Sequence, residues 1–95
     1  MSAGPSTQSV RCLVAGRVQG VYYRSATAQR AQALALRGWV KNLADGRVEV
    51  VASGDATAIA ALTRWLWQGP PAARVDAVYL EEWQGDVPAE FVVAK

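Results

Sequence analysis

The apolar pattern of this chain keeps changing period, and each change falls on residues that favour a turn or a helix end. "VRCLVAG" is rich in branched residues and alternates, the two-residue period of a half-buried strand, and it ends at Gly16. From Arg24 to about Leu36 the spacing becomes helical: Thr27, Ala28, Ala31, Leu34 and Ala35 fall on one arc, while Gln29, Arg30, Gln32 and Arg37 point elsewhere. Gly38 is the expected stop of that helix. "WVKNL" and "RVEVVAS" read as strands around "ADGR", where both Asp45 and Gly46 can take positive φ in a tight hairpin turn. Asp55 suits the N-cap of a second helix, "ATAIAALTRWLWQ", which Gly69, Pro70 and Pro71 terminate. "RVDAVYLEEW" and "EFVVA" supply the last strands.

That order, βαββαβ with a short extra strand, predicts an α+β sandwich of two split β-α-β units: an antiparallel sheet with two helices on one face. Ninety-five residues suffice for one core and no second lobe, and 52% hydrophobic against 19% charged residues marks a globular chain. The small, polar "MSAGPSTQS" lacks the apolar region of a secretion signal, so residues 1–9 are expected to be a flexible tail and 10–95 a single domain. No run approaches the roughly eighteen apolar residues of a membrane span, so no membrane partner is expected. Cys12 has no second cysteine to pair with, which favours a reducing, cytoplasmic compartment. Trp39, Trp65, Trp67 and Trp83 read as core or half-buried platforms and not as a binding cage.

The chemistry concentrates in "GRVQGVYYRS", Gly16 to Ser25, where two glycines and two arginines precede a helix. A glycine-bearing turn at a helix start offers free backbone amides and the positive end of a helix dipole, which together suit an anion. Charge is distributed to match. Residues 1–44 carry Arg11, Arg17, Arg24, Arg30, Arg37 and Lys41 and no acidic residue, whereas all eight acidic residues lie in 45–95. Chain lengths then fix what can meet. The first strand delivers the chain to one end of the sheet at Gly16, the helix carries it back by roughly 20 Å, and the second strand climbs roughly 13 Å from Gly38 to Asn42. Arg24 and Asn42 should therefore be neighbours at the mouth of the turn.

"GRVQGVYYR" and "GWVKNLADGRVE", in this order and spacing, resemble the paired signature of the acylphosphatases, and "WLWQGPPAARVDAV" is similar to that family's second helix and the segment after it. The resemblance runs from about Val10 to the end of the chain. It implies a ferredoxin-like sandwich that hydrolyses small acyl phosphates to carboxylate and inorganic phosphate. It also implies that Arg24 grips the phosphate and Asn42 holds the attacking water. Tyr23 stands where the family usually has phenylalanine, and Leu43 where it often has threonine.

Such a reaction suits a chain with no histidine. A carboxylate leaves without being protonated, so neither a general acid, a covalent nucleophile, a metal nor a cofactor is required. What remains is to hold the phosphoryl group and align a water. The backbone amides of Arg17, Val18, Gln19, Gly20, Val21, Tyr22 and Tyr23 are the candidate phosphate cradle, and the Arg24 fork its side-chain grip. Inorganic phosphate or sulfate is the expected competing anion, and a monomer is expected. Two alternatives share the fold: a non-catalytic anion-sensing domain, and an RNA-binding module. The latter needs stacking aromatics on the strand that here reads "RVEVVAS", which has none, so no nucleic acid partner is expected.

Overall fold

The computed structural model of the chain describes residues 7–94. The elements run β1 (Thr7–Arg17), α1 (Tyr23–Ala33), β2 (Arg37–Asn42), β3 (Val48–Asp55), α2 (Ala56–Gln68), β4 (Arg74–Glu82) and β5 (Phe91–Val93). Of the expected tail, residues 1–6 lie outside the described residues. Thr7, Gln8 and Ser9 instead open β1, paired with Asp55, Gly54 and Ser53; a backbone ladder holds them although their side chains are polar.

The strands form one sheet in the order β4-β1-β3-β2-β5, the split β-α-β arrangement. β1 is antiparallel to β3 and β4, and β2 is antiparallel to β3. β5 runs parallel to β2, so the sheet is mixed and not wholly antiparallel as expected. The cause is the route of the chain. β4 ends beside the start of β1, where Val10 pairs with Glu82, and β2 begins at that same end, where Arg37 shares Ser53 with Ser9. A segment crossing from β4 to the far edge must therefore run in the direction of β2.

Alternation along β1 sends Val10, Cys12 and Val14 into the core, where Val40, Val48, Val50 and Ala52 join them. α1 meets this core with Thr27, Ala28 and Ala31, and α2 with Ile59, Leu62 and Leu66. β3, the central strand, is buried on both faces from Val48 to Ser53. On its second face Glu49 accepts hydrogen bonds from Arg11 Nε at 2.7 Å and Trp39 Nε1 at 2.9 Å. Burial pushes the Glu49 carboxyl upward, but the hydrogen bonds from Trp39 and Arg11, with the charges of Arg11 and Lys41, outweigh it and hold the carboxyl below its ordinary value. The Trp39 ring meets Trp83 edge-on at 5.5 Å, and Trp65 lies against Tyr23. Trp67 is exposed.

Two turns differ from their sequence reading. α1 stops at Ala33, well before Gly38. Ala35 takes φ 59°, and the Leu36 N–H reaches back to the Ala31 carbonyl at 2.9 Å, a Schellman-type end without its usual glycine. Gly38 belongs to β2, where a Cβ would run into the Val51 carbonyl oxygen. In the hairpin only Gly46 takes a positive φ, 95°. The Asp45 carboxylate accepts the Arg47 N–H at 3.0 Å. The Gly46 N–H bonds to the Leu43 carbonyl at 3.2 Å, which gives a longer loop than the two-residue turn. Asp55 caps α2 as expected, accepting from the Thr57 and Ala58 amides at 3.0 and 3.3 Å.

These turns make opposite predictions for similar substitutions. Ala35→Gly relieves a left-handed alanine and should raise stability by about 1 kcal/mol, whereas Gly38→Ala should lower it by about 3 kcal/mol through the overlap with Val51. Urea unfolding followed by circular dichroism measures both; a lower midpoint for Ala35→Gly would show that residue 35 is not left-handed.

Candidate active site

Val48 of β3 pairs with Val14 of β1 on one side and with Asn42 of β2 on the other. The exit of β1 and the end of β2 thus lie at one end of the sheet, two strand spacings or about 10 Å apart. Between β1 and α1 the buried side chains of Val18 and Val21 fix the loop to the core. Gly20 and Tyr22 take φ 76° and 64° and turn the backbone into α1. At Gly20 the conformation alone calls for glycine, since nothing lies within 4 Å of a built Cβ. At Tyr22 the left-handed backbone costs an L side chain roughly 1–2 kcal/mol.

α1 begins uncapped: its N-cap residue, Tyr22, makes no side-chain bond to the first amides, and its first turn holds no acidic residue. Its first-turn N–H groups have no partner within the helix and carry the positive end of its dipole. They border a concavity of about 310 Å³ lined by Val18, Gly20, Tyr22, Tyr23, Arg24, Ser25 and Asn42. Arg24 and Asn42 therefore meet where the chain lengths put them, with four of the seven expected loop residues. Arg17, Gln19 and Val21 do not line the concavity. Arg17 ends β1 opposite Arg74, and Val21 points into the core. The Gln19 side chain turns to the hairpin, its Nε2 donating to the Leu43 carbonyl at 2.9 Å and the Arg47 carbonyl at 3.0 Å. Ser25 was missed; its place in the first turn of the helix behind the glycine turn was the available signal.

The two central side chains are held differently. Arg24 is half-buried, and its Nη1 donates to the Ala94 carbonyl just beyond β5 at 3.2 Å, which fixes one branch of the fork and leaves other N–H groups for a ligand. Asn42 Oδ1 is buried without a hydrogen-bond partner among the described residues. A buried acceptor left unpaired is costly, so this oxygen calls for a donor. Among the described residues the lining holds no carboxylate, imidazole or thiol, and no three His, Cys, Asp or Glu side chains gather.

The acylphosphatase family model matches residues 10–93. This chain belongs to the acylphosphatase family. Among its relatives, the acylphosphatase of Nitrosococcus oceani is 56% identical over 72 residues, covering 76% of this chain and 81% of the relative. That of Xanthomonas euvesicatoria pv. vesicatoria is 62% identical over 71 residues, covering 75% and 81%. Of solved structures, an acylphosphatase from Coxiella burnetii superposes with a TM-score of 0.88 at 43% identity, covering 93% of each chain. The acylphosphatase from Bacillus subtilis gives 0.88 at 32% identity, covering 95% of this chain and all of that one.

The Tyr23 hydroxyl has a partner: it donates to the Leu66 carbonyl of α2 at 2.7 Å. The ring fills the space over Gly69, where a Cβ would meet its edge at 2.8 Å, so Tyr23 joins the start of α1 to the end of α2. Leu43 contributes to the site edge through its backbone, accepting from Gln19 and donating to the Arg47 carbonyl at 2.8 Å.

Beneath this edge Cys12 is buried and unpaired. Burial pushes its thiol from 9.0 up to about 12. Burial first, and the Cys12 charge second, raise the Tyr23 phenol as well. Below pH 9 the thiol is neutral in folded and unfolded chains alike. Above it the unfolded chain releases a proton that the folded one keeps, so stability falls as pH rises, by up to about 1.4 kcal/mol per pH unit for each such group. Urea midpoints between pH 8 and 11 should fall steeply for the parent and less steeply for Cys12→Ala. Equal slopes would mean that the thiol ionises freely in the folded chain.

Proposed function

We infer that Arg24, the amides of the β1–α1 loop and Asn42 carry out the acyl phosphate hydrolysis that family membership assigns to this chain. The phosphoryl group sits against the free amides at the start of α1, and the Arg24 fork binds two of its oxygens in one plane. A water donates one hydrogen to the buried Asn42 Oδ1, which leaves an oxygen lone pair free to attack phosphorus. The new P–O bond forms as the bond to the acyl oxygen breaks; the carboxylate leaves unprotonated and the water's proton passes to a phosphate oxygen. Charge on the equatorial oxygens meets donors that are already in place, so stabilising it needs little reorganisation. The observation that carries this reading is the unpaired Asn42 oxygen beside Arg24 and an uncapped helix start.

Gln19 acts in this reading as a positioning residue. Its side chain ties the phosphate loop to the hairpin that follows Asn42, so grip and water keep one spacing. A monomer suffices, because every assigned group comes from one chain. No helix of the described residues is long and apolar enough to cross a membrane. The buried lone thiol agrees with a cytoplasmic setting, and the substrate itself is the only partner the reaction requires.

Hydrolysis of benzoyl phosphate tests the assignments. Asn42→Ala should lower kcat by about 10² while inorganic phosphate still competes with substrate, because alignment is lost and grip is kept. Arg24→Lys should lose about 3 kcal/mol in kcat/KM, nearly as much as Arg24→Ala, since lysine keeps the charge and loses the fork. A lysine variant within tenfold of the parent, with circular dichroism confirming folding of all variants, would reduce Arg24 to a point charge and overturn its role.

A further inference from the structure

Tyr22 has no evident task in the fold. Its side chain is 84% exposed, so it buries little surface, and it makes no side-chain cap to the helix it precedes. Its backbone is left-handed, at φ 64°, a conformation that glycine adopts freely and an aromatic residue does not. The structural part it plays belongs to the backbone alone: its carbonyl accepts the Ala26 N–H at 3.0 Å and starts α1. Glycine would do this with less strain. Yet the residue lines the same concavity as Gly20, Arg24 and Asn42.

The concavity is also larger than the reacting atoms need. About 310 Å³ is roughly ten times the liquid volume of one water, more than a phosphoryl group and a single water fill. In-line displacement puts the leaving acyl oxygen opposite the attacking water. With the water held at Asn42, at the end of β2, the acyl group must leave on the side of the β1–α1 loop, where Tyr22 stands. An exposed ring beside the leaving group offers a flat apolar face for a second flat or apolar group to pack on.

We propose that the Tyr22 ring is the acyl subsite, selecting acyl phosphates whose acyl group is aromatic or extended and apolar over those with a small one. This rests on the hydrolytic reading above, and its test separates the two. For the parent, Tyr22→Phe, Tyr22→Gly and Tyr22→Asn, kcat/KM is measured on benzoyl and acetyl phosphate. The dissociation constants of benzoylphosphonate and acetylphosphonate, which cannot be hydrolysed to phosphate by the same step, are measured by calorimetry. Glycine and asparagine both accept the left-handed backbone, and asparagine does so without glycine's added freedom.

The ratio of benzoyl to acetyl, in kcat/KM and in affinity, should fall about fivefold in Tyr22→Gly and Tyr22→Asn and stay at the parent value in Tyr22→Phe, because the ring and not the hydroxyl makes the contact. If both substrates lose equally, so that the ratio does not move, the ring is not the acyl subsite and the assignment falls. It falls likewise if the parent binds neither phosphonate. If the phosphonates bind with a ratio that tracks the ring while no variant, parent included, hydrolyses either substrate, the catalytic reading fails and the acyl subsite stands.

Discussion

The register of one strand governs the rest of this molecule. β3 lies between β1 and β2 and is antiparallel to both, and its first residue, Val48, faces Val14 on one side and Asn42 on the other. A slip of one residue against either neighbour would turn the alternating core residues of that strand to the wrong face. The register is therefore fixed by the burial of Val14, Val40, Val48 and Val50, none of which lines the concavity. Through it, apolar packing sets the distance between the loop after β1 and the side chain at the end of β2. Gln19 then holds that distance with two hydrogen bonds from the loop to the hairpin.

The two helices show how the chain treats equal local problems differently. Each follows a strand and begins with amides that lack an intrahelical partner. At α2 the Asp55 carboxylate accepts two of them, a cap of the kind that contributes about 1 kcal/mol. At α1 the N-cap position holds Tyr22, whose side chain accepts nothing and whose backbone is strained. A carboxylate there would stabilise the helix and, in the proposed mechanism, occupy the phosphate's place with the protein's own charge. The uncapped start and its neighbour, the unpaired oxygen of Asn42, are local losses of stability concentrated at one end of the sheet.

Much of this was legible in the sequence because it depends on period and length. Alternation in "VRCLVAG", helical spacing after Arg24 and the Asp55 cap gave the elements, and strand and helix rises alone brought Arg24 and Asn42 together. What was not legible depends on long-range partners. Gly38 looks like a helix stop because glycine usually serves there, but its reason is the Val51 carbonyl on a strand not yet formed. Asp45-Gly46 looks like a two-residue turn, and the bond from the Arg47 amide to the Asp45 side chain accompanies a longer one. The direction of β5 follows from which edge of the sheet is free, and the polar Thr7–Ser9 join β1 through backbone pairing that no side-chain pattern announces. Within the β1–α1 loop, chain position alone could not separate residues lining the concavity, such as Gly20, from Val21, whose side chain faces the core, or show that the Val18 side chain is buried beneath the lining.

Charge in the sequence also spoke less clearly than geometry. The first half of the chain carries six basic residues and no acidic one, yet Arg24 is the only one of the six that lines the concavity. Arg11 is engaged by Glu49 and Glu81 on the face away from the helices, and Lys41 lies 3.8 Å from the same Glu49. A general positive field would gather any anion, and screening over about 10 Å at ordinary salt would weaken it. In the mechanism proposed above, one planar cation fixed through the Ala94 carbonyl, beside the uncapped start of α1, distinguishes a tetrahedral anion from a diffuse one by shape. In the same proposed mechanism the second central group is the neutral Asn42, so a water approaches a charged phosphoryl group there without a like charge repelling it. Selectivity in that mechanism comes from oriented dipoles around a single charge, and it depends on the strand register that holds them in place.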